Sequence, residues 1–251
     1  MARTPDGPPP PPAVQKLRLR YAKRTRLRFS SHRDFQRALE RALRRAAVPM
    51  AYSAGFSPHP KVSYANAAPT GAASEAEYVE ISLTQRCDPE SVRAAIDAAL
   101  PPGLDIVEVV EAGPGALADR LTGSVWSVLL PRSDDTEVRH AVRAFLAEDS
   151  VEVHRILKNG RRALDARAAV VALEVAVDDT NSGPSPEPVL HLVLRHLTPS
   201  VRPDDVLAGL HAVCGFAPTE PAQALRVAQG MLDEASATVG DPLKGMPTNT
   251  T

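Results

Sequence analysis

Between residues 16 and 21 the chain alternates strictly. Leu17, Leu19 and Tyr21 are apolar, and Lys16, Arg18 and Arg20 are basic. A period of two predicts a strand with one apolar and one basic face. Past an Arg-rich turn ending at Leu27 and Phe29, the period lengthens. Phe35, Leu39, Leu43 and Ala46 recur at helical spacing. Ser31 stands where a helix cap belongs, with Asp34 three residues on as its capping-box partner, and Pro49 stops the helix. A non-repetitive loop over 50–61 leads to a strand near 62–67. Residues 77–84 alternate again, with Tyr78, Glu80, Ser82 and Thr84 opposing Val79, Ile81 and Leu83. Asp88 and Pro89 open a second helix that runs to Leu100, with Val92, Ala95, Ile96 and Ala99 inward. Pro101, Pro102 and Gly103 end it, and residues 104–111 close the series as a strand.

The second half repeats this order. A strand over 125–130 precedes a helix over 136–148. A strand over 151–158 ends at Asn159-Gly160, a tight-turn signal. Strands near 163–177 and 189–197, a helix over 203–213 begun by Pro203, and a last strand near 225–232 complete it. The expected fold is α+β: two tandem ferredoxin-like (βαββαβ) units with antiparallel sheets, over 16–115 and 122–232. The Pro-rich segment 1–15 is expected to be disordered, the polar loop 178–188 mobile, and 233–251 a flexible tail.

Charge changes this picture. Residues 16–61 hold thirteen Lys or Arg against two acids, Asp34 and Glu40, so this segment carries +11 in a chain of net −1. So polarised a distribution predicts a basic surface and a polyanionic partner. Seven of the ten aromatic residues fall between Tyr21 and Tyr78, and rings beside cations are what single-stranded nucleic acid requires. Arg33, Arg37, Arg41 and Arg45 are spaced by four on the first helix, with Arg44 beside them. Like charges at that spacing cost roughly 0.2–0.5 kcal/mol per pair. Helix stability does not explain the stripe, whereas an anion along it does; the bland alternative is a solvated face.

The chain's 251 residues include no run of eighteen apolar positions, so no membrane span is expected and a cytoplasmic location is. Cys87 and Cys214 lie far apart and suggest neither a disulfide nor a metal cage. His32, Asp34 and His59 form a candidate polar cluster for proton transfer or metal, weakened because capping already explains Asp34. Asp165 with Arg167 reads as a candidate structural pair. Arg202 before Pro203 stands at a helix entry where an anion can bind.

The stretches SSHRD (30–34), RALRRA (41–46), PMAYSAGFSPHPK (49–61) and GAASEAE (71–77) resemble the radical-SAM-linked protein family, the DUF2344 domain. Weaker matches follow in KNGRRALDAR (158–167) and SVRPDDVL (200–207), so the likeness covers roughly residues 16–215. The resemblance implies a protein encoded beside, or fused behind, a radical SAM enzyme. That partner is expected to carry an iron–sulfur cluster and S-adenosylmethionine, and this chain no cofactor or metal of its own.

The leading expectation is therefore a non-catalytic accessory protein that binds RNA during modification by its radical SAM partner. Arg18, Arg20, Arg26, Arg28, Arg33, Arg37, Arg41, Arg44 and Arg45 would hold phosphates. Tyr52, Ser53, Phe56, His59 and Lys61 would read bases or shape. Arg161, Arg162, Arg167 and Arg202 would extend the surface in the second half. Six neutralised phosphates give a salt slope of about −4 to −5. One alternative is a protein–protein docking module without RNA contact. Another is a stand-alone enzyme using His32, Asp34 and His59; no Gly-rich phosphate loop or nucleophile elbow supports it.

Overall fold

The structure, a computed structural model, describes residues 10–157, 160–178 and 187–244. The fold is α+β with antiparallel strand pairing, and the chain divides into two compact units, Met1–Arg120 with Pro242–Thr251, and Leu121–Asp241. No described helix is long and apolar enough to cross a membrane.

The first unit runs β1 (Gln15–Lys23), a 3-10 turn (Thr25–Phe29), α1 (His32–Arg45), β2 (Val62–Ala65), β3 (Ala73–Leu83), α2 (Pro89–Ala99) and β4 (Leu104–Glu111). Its strands lie in the order β4-β1-β3-β2, each pair antiparallel. The helical and strand periodicities converge on one core. Phe35, Leu39 and Leu43 of α1 and Val92 and Ile96 of α2 bury against Leu17, Leu19, Tyr21, Val79, Ile81 and Ile106 of the sheet. Tyr21 and Phe35 stack with centroids 3.9 Å apart. The α1 start carries the anticipated capping box. Ser31 Oγ accepts from the Asp34 N–H at 3.3 Å, and the Asp34 carboxylate accepts from the Ser31 N–H at 3.1 Å.

The second unit runs β5 (Gly123–Leu129), α3 (Asp135–Ala147), β6 (Glu152–Leu157), β7 (Gly160–Asp165), α4 (Ala166–Ala169), β8 (Val170–Asp178), β9 (Glu187–Arg195), α5 (Pro203–Cys214) and β10 (Gln223–Gly230). Within this unit the strand order is β10-β5-β9-β8. Among the described residues β6 and β7 pair only with each other, as a separate hairpin. The expected single strand over 163–177 is therefore two strands broken by a helical turn. Asp165 makes that break: its carboxylate accepts from the backbone N–H groups of Arg167 and Ala168 at 2.9 and 3.1 Å, capping α4. Burial pushes the Asp165 carboxyl up, but donors from Ser150, Val151, Ala168 and Arg167 outweigh it and hold the group below its usual range.

Part of the expected tail is structured. β11 (Leu232–Asp233) pairs with β12 (Thr238–Val239), and Arg120 donates to the Pro242 and Lys244 carbonyls at 3.2 Å. The turn residue Asn159, most of the polar loop (179–186), residues 1–9 of the Pro-rich start and 245–251 lie outside the described residues.

Candidate functional site

The basic face read for β1 is not an open surface. Arg18 is only 1% exposed; its Nε donates to Glu80 Oε2 at 3.0 Å and its Nη2 to the Gly115 carbonyl at 2.5 Å. Glu80 also holds Lys16 at 3.2 Å, and Arg20 lies 3.3 Å from Glu108. Register explains this: Arg18 stands opposite Glu80 on β3, and Arg20 opposite Glu108 on β4. Arg18 is thus a structural ion pair unavailable to a ligand, and Arg20 is paired with Glu108 but part-exposed. Arg24 beside them is clamped by Glu75 and, at 2.8 Å, by Asp105.

On α1 the outcome is the opposite. Arg33, Arg37, Arg41 and Arg44 are all exposed, and none has an ion pair among the described residues. At about 100° per residue they fall within roughly 80° of one helix face and span about 16 Å of its axis. Arg45, at the edge of this stripe, donates to the Ala99 carbonyl at 3.1 Å. Arg26 is exposed, and Arg28 sits over the Phe29 ring, 4.8 Å from its centroid.

The 50–61 loop is anchored at its base and open at its tip. Ala51, fully buried, donates to the Ser82 carbonyl, and Lys61 donates to the Ala51 carbonyl, both at 2.8 Å. Tyr52 bridges Pro60; Ser53 donates to the His59 carbonyl at 2.8 Å, and the Ser53 hydroxyl accepts from the His59 N–H at 3.1 Å. Gly55 takes a φ of +135°, a conformation L side chains rarely adopt, and lets the tip reverse. The ladder leaves Phe56 69% and Tyr52 38% exposed. So the loop does not spend Phe56 on anchoring; Met50 and Ala51 do that. Tyr78 is core, and Tyr64 packs edge-on to Phe35. The Lys61 side chain is exposed.

A cleft of about 160 Å³ separates the carboxy-terminal half of α1 from this loop. Glu40, Leu43 and Arg44 of α1 line it, with Val48 and Met50 from the segment after the helix and Tyr52, Pro58, His59 and Pro60 from the loop. Glu40 and Arg44 are one helical turn apart, yet no ion pair joins them. Burial, and then the Glu40 charge, raise the Tyr64 phenol above its usual range.

The polar cluster does not assemble. Asp34 is engaged by Ser31, whose hydroxyl and N–H hold its carboxyl below the usual range with help from Arg37. His32 hydrogen-bonds Gln36 at 3.0 Å and meets Tyr64 edge-on at 5.0 Å. His59 lines the cleft instead. Among the described residues no group of three or more His, Cys, Asp or Glu is arranged to hold a metal.

In the second unit Arg161 and Arg162 are exposed on β7. Arg167 is half-buried and donates to the Val170 carbonyl at 3.1 Å, so its guanidinium does not form the expected pair with Asp165. Arg202 is exposed, and its N–H donates to Asp205 at 2.7 Å. Sequence reading missed Arg155, which pairs with the buried Asp205 and donates to the Ser200 carbonyl at 2.9 Å, tying the hairpin to α5. It also missed Glu80 as the neutraliser of β1. The signal was present: Glu80 sits in the polar series Tyr78, Glu80, Ser82 of a strand that had to pair with β1.

A family described as "Uncharacterized protein conserved in bacteria (DUF2344)" matches residues 16–203. No match is found among curated proteins. The crystal structure of an unknown protein from Galdieria sulphuraria aligns over 87% of this chain and 99% of its own, at 12% identity and a TM-score of 0.23.

Proposed function

Because the chain belongs to the DUF2344 family, we propose that it is a non-catalytic accessory protein that binds RNA and presents it to a radical SAM partner enzyme for modification. The radical SAM partner comes from the family resemblance of the 30–34 and 49–61 stretches. The iron–sulfur cluster and S-adenosylmethionine belong to that partner, and the site of action is the cytoplasm. The RNA reading rests on one observation: four arginines on a single face of α1, free of ion pairs among the described residues, beside a backbone-braced loop that exposes Tyr52 and Phe56. Unsatisfied guanidinium groups attract phosphates, and exposed rings on a pre-organised loop stack on bases at little ordering cost.

Arg33, Arg37, Arg41 and Arg44 are the primary phosphate ligands. Arg26, Arg28, Arg45 and Lys61 extend them, and Arg161, Arg162 and Arg202 form a second basic surface. Each unit is read as ferredoxin-like, supported by the shared order of β4-β1-β3-β2 and β10-β5-β9-β8. The domain boundary is placed between 115 and 122.

Fluorescence anisotropy of a labelled single-stranded RNA over a KCl series tests this reading. Four phosphates held by α1 give a slope of log K against log salt of about −3, at roughly −0.7 per single-strand phosphate. RNA affinity that is absent, or independent of salt, would leave the basic helix as a protein-docking face.

A further inference from the structure

We propose that the cleft between α1 and the 50–61 loop is a nucleobase pocket that takes one guanine of a single-stranded RNA. This deepens the RNA-binding reading and rests on it.

Size comes first. At about 160 Å³ the cleft falls well below the roughly 300–1,000 Å³ typical of drug-sized ligands and cofactors. It suits one flat ring system and excludes a whole nucleotide cofactor. Its walls are the right kind of surface. Leu43, Val48 and Met50 give it apolar lining, and Tyr52 and Pro60, bridged through their backbones, bring two rings to the loop side. A base stacks on such faces whatever its identity.

The polar lining carries the discrimination. Glu40 is half-buried and forms no ion pair among the described residues, although Arg44 shares the cleft with it. An ionised carboxylate only accepts hydrogen bonds and accepts two in parallel well. Guanine alone among the four bases sets two donors side by side, N1–H and the N2 amino group. Adenine and cytosine place a ring-nitrogen acceptor next to their amino donor, and uracil flanks its one N–H with two carbonyls; each would turn a lone pair toward Glu40. Arg44, a pure donor, complements the guanine O6, and its place in the arginine stripe carries the phosphates of flanking nucleotides past the cleft mouth.

The test uses the full chain and ten-nucleotide oligouridines with one central G, A, C or inosine, followed by fluorescence anisotropy at fixed salt. The single-G strand should bind about tenfold or more tighter than the A or C strands, the size of one good bidentate base contact. Inosine, which lacks the N2 amino group, should lose most of that preference without any change to the protein. Glu40→Gln should bring the G preference below about threefold. Equal binding of all four strands, or a G preference unaltered in Glu40→Gln, overturns the pocket and leaves RNA binding by the stripe intact. No binding of any strand overturns both.

Discussion

Replacing Arg37 and Arg41 together by Glu isolates the arginine stripe from the fold. Both side chains are exposed and free of ion pairs among the described residues, so their effect on stability is set by neighbours on the helix. Three contacts turn from repulsive to attractive: position 37 with Arg33, and position 41 with Arg44 and with Arg45. Two turn the other way, position 37 with Asp34 and with Glu40. At roughly 0.2–0.5 kcal/mol per contact, one net favourable reversal changes stability by no more than about 1 kcal/mol. The effect on RNA is far larger. Releasing the counterions of one single-strand phosphate is worth about 1 kcal/mol at 0.1 M salt, so losing two contacts weakens binding by about 25-fold or more and makes the salt slope shallower by about 1.4. New carboxylates facing phosphates add repulsion to that loss. Anisotropy across a KCl series reads affinity and slope, and a thermal melt followed by circular dichroism checks the fold. An affinity and slope equal to the parent protein's, with the melt unchanged, would refute the assignment of α1 to phosphate binding.

Arg18→Met should destabilise the protein by about 2–3 kcal/mol in urea titrations, somewhat under the full cost of breaking a buried pair because Glu80 keeps Lys16; a loss under about 1 kcal/mol would mean that the pair is not structural. Asp34 has a folded-state pKa below its unfolded value. Its contribution is therefore fully present above about pH 4 and lost as pH falls through the folded pKa, and Asp34→Asn should flatten the stability–pH curve in that acid window. An unchanged curve would show the capping carboxylate to be unimportant. Gly209→Ala places a Cβ 2.7 Å from Phe145 Cε2, a ring with no exposure, and should cost about 1–3 kcal/mol by overpacking, read as a lowered midpoint in urea; a neutral result would mean that the α3–α5 contact can open.

Elements whose burial follows their own period were legible in the sequence. The Phe35–Leu39–Leu43 face and the Ser31–Asp34 cap each needed only local spacing, whereas β3 buries Tyr78 and Ser82 as well as Val79, Ile81 and Leu83, so its alternation did not mark which face is covered. The α4 break was hidden because Ala163, Leu164, Ala166, Ala168, Ala169 and Val170 read as one apolar run interrupted by Asp165 and Arg167, and nothing in that spacing marked Asp165 as a helix cap. Arg18 misled for a different reason. Alternation identifies the two faces of a strand, but whether the polar face meets water depends on what covers it, and here the Gly115 segment and Glu80 do. The α1 stripe survived because a helix packed by one face leaves the opposite face outward. The cleft required knowing where the loop returns against α1, which no spacing in the sequence encodes.

Ultraviolet crosslinking in cells, with sequencing of attached RNA and mass spectrometry of attached peptides, tests RNA contact most directly. RNA joined to peptides between Tyr52 and Lys61, where exposed rings can react with bases, is the predicted result. Recovery of a partner protein on that loop with no RNA attached would contradict it.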